Sequence, residues 1–195
     1  MTNGEKLVSL FTDFGFHLAI HGHKHYPRLI YSAGGANSLA VFASGSVAAT
    51  TEKGLFTNTR NLFHIVELDD EDIQSCGPHG VIRSWQFHLH RGWAPASTEA
   101  ADIPAVTGFG CRTEPNQLAK LASDWFCSAV GTESMGYFDW EELVARVPQA
   151  KYLTPMDAQR FGQALADQYQ IELMPTPPNT PERVGRLLKR KQNES

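Results

Sequence analysis

The chain has 195 residues, 42% hydrophobic and 19% charged, a balance that suits one sizeable core or two small ones. A formal charge of −4 with a pI near 6.0 excludes a general polyanion binder, so any nucleic-acid role needs a local basic patch. Three scattered cysteines (Cys76, Cys111, Cys127) without a CxxC argue against a disulfide framework or a thiolate zinc site; the lack of a long apolar run or signal core argues against membrane insertion and makes a cytoplasmic address the expectation.

In chain order, Leu7, Leu10, Phe11 and Phe14 recur at helical spacing over Lys6 to Phe14, and Gly15 is a stop. His17 to His21 reads as a short apolar strand ending at Gly22. Ser38 to Ala49 reads as a buried strand with a Gly-Ser turn. Asn61 to Leu68 and Gly80 to His90 alternate as strands. In the latter, Val81, Arg83, Trp85, Phe87 and Leu89 share the face expected to be buried, which leaves His88 and His90 toward solvent. Residues 92–112 are rich in Pro, Gly, Ala, Ser and Thr and read as a linker or irregular crossover.

Beyond it the pattern turns helical. Thr113 to Val130 carries Leu118, Leu121, Ala122, Trp125, Phe126 and Ala129 as one stripe. Asp139 caps a short helix to Val147. Thr154-Pro155-Met156-Asp157 combines a cap, a proline at the first helical position and an acid at the third, and starts a helix to about Tyr169. Ile171 to Met174 suggests a short strand, and Thr180-Pro181-Glu182 opens a basic helix, Arg183 to Lys191.

All eight histidines precede residue 91, and the densest group is His21-Gly22-His23-Lys24-His25, where a strand meets a loop. Residues two apart in extended chain point the same way, about 7 Å apart. Two such imidazoles can each hold one ion of a metal pair separated by roughly 3.5–4 Å. Gly22 lets the backbone approach a ligand closely.

The stretches FGFHLAIHGHKHYPRL, VFASGSVAAT and NLFHIVELD together resemble the end of the calcineurin-like metallophosphoesterase domain, over about residues 5 to 93. The family closes its metal site with Gly-His-x-His, standing here as Gly22-His23-Lys24-His25; a Gly-Ser strand and an Asn-x-aromatic strand follow, as Gly45-Ser46 and Asn61 to Leu68 do. The resemblance implies that His23 and His25 each bind one of two divalent ions (Mn, Fe or Zn), with His21 and Lys24 toward substrate. It implies hydrolysis of phosphate mono- or diesters by a metal-activated hydroxide. The family's earlier motifs, Asp-x-His, Gly-Asp and Gly-Asn-His-Asp/Glu, do not occur in the sequence. The bridging carboxylate and remaining ligands are therefore expected from another segment or a partner chain such as a complementing N-terminal half, the uncovered strand edge is expected to favour a homo-oligomer or partner complex, and the chain alone is expected to be nearly inactive.

The remaining candidates carry blander expectations. Asp69 to Asp72 is an acidic turn expected in solvent, His64 a satisfied or exposed histidine, and the cysteines buried and inert. In the second region, Trp140 to Val144, Tyr152 to Pro155 and Arg160-Phe161-Gly162 to Leu165 loosely resemble winged-helix domains attached to phage-type primases. That resemblance implies Gln159, Arg160 and Gln163 toward a nucleic-acid groove and Lys151 toward phosphate. The expected fold class is thus α/β. It comprises the C-terminal portion of a metallophosphoesterase β-sandwich with a flanking helix (1–93), a linker (94–112) and a small, mainly helical, winged-helix-like domain with a basic tail (113–195). The rival expectation is a non-catalytic module that docks DNA or protein through its helical part.

Overall fold

The protein is described by a computed structural model over residues 3–22, 28–32, 39–47, 61–70, 77–97, 103–130, 136–174 and 187–190. It is a mixed α/β structure. Helix α1 (Asn3–Asp13) leads into strands β1 (Leu18–His21), β2 (Arg28–Tyr31) and β3 (Ala40–Ala43). Gly15 ends α1 in the left-handed region (φ 72°). Phe16 N then donates to Phe11 O (2.9 Å), Gly15 N donates to Thr12 O (3.0 Å), and the Phe11 and Phe16 rings close the turn at 5.1 Å.

The first sheet has the order β1-β3-β2, with β1 parallel and β2 antiparallel to β3. A second sheet is built around β5 (His79–His88). Strand β4 (Leu62–Asp69) covers one edge; on the other edge lie β6 (Gly92–Pro95) and β7 (Val106–Phe109), end to end. The stretch expected as a linker thus supplies the end of β6 and all of β7. Small residues suited it to a close approach: a Cβ on Gly108 would lie 2.3 Å from the Tyr152 carbonyl carbon, so only glycine lets β7 seat there.

One core lies between these sheets, with Ala40 and Phe42 meeting Leu62, Ile82, Ala96 and Phe109. The two sheets also touch through Tyr31 Oη and Thr107 Oγ1 (2.7 Å) and through the Phe42 ring against His64 (4.4 Å). The face of β5 turned to this core is the one with Ile82, Ser84 and Gln86, not the Trp85–Phe87–Leu89 face. Ser84 earns its place there by bonding His64, a need that hydropathy alone does not register.

The helical part runs α2 (Pro115–Val130), β8 (Tyr137–Asp139), α3 (Trp140–Arg146), a 3-10 turn (Pro148–Tyr152), α4 (Pro155–Tyr169), β9 (Ile171–Leu173) and β10 (Leu187–Arg190). Its three strands form an antiparallel sheet of order β8-β10-β9. Residues Leu187–Arg190, expected within a basic helix, are strand because β8 and β9 present edges on both sides of them; backbone pairing overrides a short helical pattern. Helix α4 starts as its sequence dictates: Asp157 N donates to Thr154 Oγ1 (3.2 Å), and Thr154 Oγ1 donates to Asp157 Oδ2 (2.8 Å). Glu142 reaches back to accept from Asp139 N (3.2 Å) at the head of α3. Leu118, Ala122 and Phe126 of α2 pack with Leu143, Phe161 and Leu165 in a second core. Leu121 and Ala129, expected on the buried stripe, face out. No helix among the described residues is long and apolar enough to cross a membrane.

Candidate functional site

The end of β1 holds the described part of the proposed metal motif. His21 pairs with Ala43 across the parallel ladder, and Ala43 pairs on its other side with Arg28, the first residue of β2. The chain therefore leaves β1 and enters β2 at one end of the sheet. Ser44 fastens that end: its N–H donates to His21 O (3.0 Å), and its hydroxyl lies 3.4 Å from the same oxygen. Gly22 faces Ser44, whose Oγ is 3.8 Å from where a Cβ would stand. His21 is exposed, and its Nδ1 lies 3.4 Å from Gly22 O, leaving the ring open to solvent. His23, Lys24 and His25 lie outside the described residues. Among the described residues no group of three or more His, Cys, Asp or Glu side chains is placed to hold a metal ion.

The candidate nucleic-acid residues divide into two places. Gln159, Arg160 and Gln163 are exposed on α4. Arg160 and Gln163 line an open groove of about 390 Å³ against the start of α2, with Glu114, Asn116 and Asp167 beside them. Arg160 Nη1 lies 3.5 Å from Asp157 Oδ1, and Gln163 Nε2 donates to Asp167 Oδ2 (2.6 Å). With one cation against two carboxylates, this groove lacks the positive excess that phosphate contacts require. Lys151 belongs elsewhere, on the 3-10 turn, 3.6 Å from Asp69 Oδ2.

That contact corrects a second expectation. Asp69 ends β4 partly buried rather than standing in a solvated turn, and it accepts a hydrogen bond from the Tyr152 hydroxyl. His79 packs edge-on against the Tyr152 ring (4.5 Å). The second sheet is thereby joined to the helical part.

A further junction was invisible in sequence. His17, 2% exposed, accepts a hydrogen bond at Nε2 from Arg112 Nη2 (3.1 Å), 95 residues away. A guanidinium only donates, so the neutral tautomer carries its proton on Nδ1, which is buried without a partner among the described residues. Burial pushes the His17 pKa down, and the charges of Arg112 and His79 push it further. His64, expected to be satisfied or exposed, is half-buried: Nδ1 bonds Ser84 Oγ at 2.8 Å while Nε2 is buried unpartnered, and burial lowers its pKa to about 4. Cys111 is buried as expected, Cys127 is exposed, and Cys76, Glu71 and Asp72 lie outside the described residues.

No family model, curated protein or solved structure matches the chain.

Proposed function

We propose that the chain is the C-terminal portion of a dinuclear metal-dependent phosphoesterase, in which His23 and His25 each ligate one divalent ion. The observation that carries this reading is the parallel pairing of β1 with β3. It puts His21, the residue before Gly22, at the C-terminal end of a parallel pair, the edge where α/β sheets gather ligands, and this supports the reading. Ser44, bound to His21 O, holds the end of that strand. Imidazole suits Fe and Zn and carboxylate suits Mn, but two rings are too few for a pair of ions, and the bridging carboxylate comes from another segment or chain. When bound, such ions supply Lewis-acid stabilisation of charge on the phosphoryl oxygens. What this chain adds is two neutral imidazoles, an open His21 ring toward the ester, and a cationic Lys24 to draw the anion in.

Supplied with the complementing ligands, the protein is expected to hydrolyse bis-p-nitrophenyl phosphate with added Mn²⁺. His23→Ala and His25→Ala should each reduce turnover by about 100-fold or more and lower metal content in elemental analysis. Turnover indifferent to both substitutions removes the reading.

A second reading is favoured by the order of the helical part. Three helices precede a strand pair, and the first strand lies beside the last in β8-β10-β9. This order supports a winged-helix reading, in which α4 would take the place of the groove-reading helix. In this reading the chain docks duplex DNA or a protein and catalyses nothing. A retardation assay at low salt tests it: loss of binding in Arg160→Ala supports DNA docking, and no retardation removes it.

A further inference from the structure

The outer face of the second sheet carries a cluster that neither reading uses. Phe63 and Trp85, directly opposed across β4 and β5, stack with ring centroids 4.8 Å apart and planes 7° from parallel. Trp93 of β6 meets Phe63 edge-on at 4.9 Å and Phe87 at 5.4 Å. The inner face of the same strands is closed by the core, yet here Phe87 is 40% and Trp93 41% exposed. Ile65 and Leu89 stand open beside them.

Charge is distributed unevenly along this sheet. The carboxylates, Glu67 and Asp69, sit toward one end, where Arg83 and Lys151 with Tyr152 occupy them. The aromatic end closes in the β5–β6 hairpin, whose tip presents exposed His90 and Arg91. Across 61–65 and 83–97 the sequence contains no Asp or Glu, although the whole chain is acidic. Rings beside the Arg91 guanidinium, with acids held away, complement a ligand that has flat π-faces and a polyanionic backbone. Unstacked bases supply the first and phosphodiesters the second. A duplex hides its base faces, and a purely apolar peptide has no use for the cationic tip.

We infer that the outer face of the second sheet binds single-stranded nucleic acid, with bases against Trp93 and Phe87 and phosphate near Arg91. The inference stands apart from the metal site, and the experiment is run in EDTA so that failure of one leaves the other in place. The full chain is titrated into a labelled oligothymidylate of about 12 nucleotides at about 50 mM salt, by anisotropy and by tryptophan quenching. Expected are saturable binding that weakens with salt, and poor competition by a duplex of the same length. Trp93→Leu and Phe87→Leu, which keep apolar bulk but remove the ring, should each weaken binding about tenfold or more. Arg91→Ala should weaken it several-fold and flatten the salt dependence. Circular dichroism and thermal melting confirm that each variant is folded, and a Trp93→Phe variant, which keeps a ring, should recover most of the affinity. No binding at low salt overturns the inference. So does binding indifferent to both leucine variants, or a two-fold self-association that these variants abolish, which would assign the face to a second copy.

Discussion

Helices α1 and α4 have comparable amphipathic patterns and opposite fates. In α4, Phe161 and Leu165 are fully buried against α2 and α3. In α1, Leu7 and Leu10 are each 49% exposed, and Phe14 just past its end is 74% exposed, so its apolar stripe packs on little within the chain. The same difference separates the sheets. β8, β10 and β9 belong to a region with a dense core, whereas β1 is an edge strand with Ile20 57% exposed. Patterning makes an amphipathic helix; only a partner surface makes it stable. The helical part contains its own partner surface. The first sheet and α1 expose the surface on which a parallel α/β layer is normally covered.

The widest contrast should come from truncating Phe161 in α4 and Phe14 at the end of the α1 stripe. Phe161→Ala leaves a cavity in the second core and is expected to cost about 3–5 kcal/mol in urea denaturation. Phe14→Ala removes an exposed ring and should move stability by no more than about 0.5 kcal/mol. Near-equal effects would mean that α1 is covered in solution. Self-association tests the same point: light scattering of the chain should show a dimer or larger species, and replacing Leu7, Leu10 and Phe14 together with Ser should shift it to monomer without lowering the melting temperature. A monomer from the start would break the comparison.

An intermediate effect is expected at the seam between the parts. Tyr152 gives its hydroxyl to Asp69, its ring to His79 and its backbone to the close approach of Gly108. Tyr152→Phe leaves a partly buried carboxylate short of a donor and should cost about 1–3 kcal/mol. If the second sheet and the helical part melt in one transition, this loss should lower both together. Separate transitions, with only one moved, would show that the seam does not couple them.

These contacts also explain which features could be read from sequence. Helix α4 was legible to within a residue, because Thr154, Pro155 and Asp157 are local signals that act on their own backbone. The strands β1, β4 and β5 were legible for the same reason. The burial of β5 was not. Both of its faces carry apolar residues, and the choice was made by Ser84 bonding His64 and by Phe42 arriving from another sheet. Strand β7 and strand β10 were missed because each depends on an edge offered by residues far away. The pairs His17–Arg112 and Asp69–Tyr152, separated by 95 and 83 positions, leave no periodic trace. Of the candidate site, only His21 and Gly22 fall on described residues, at the end of β1 beside Ser44, and His23, Lys24 and His25 lie outside them.

A further effect concerns pH, and it divides the molecule along the same line, since both depressed histidines lie in or beside the two sheets rather than in the helical core. His64 has a folded pKa of about 4 against 6.5 for the free side chain, and His17 is lowered as well. A lowered folded pKa means that the unfolded chain takes up the proton first. Stability is therefore full above pH 6.5 and declines as pH falls below it, with the His64 share lost by about pH 4. Carboxylates titrate mostly below pH 5, so the window from 6.5 to 5 isolates the imidazoles. His64→Asn keeps a polar partner for Ser84 Oγ but cannot be protonated. It should lower stability slightly at pH 7 and flatten the decline over that window in urea melts. An unchanged slope in the variant would mean that the space between Phe42 and Ser84 opens to water before His64 charges.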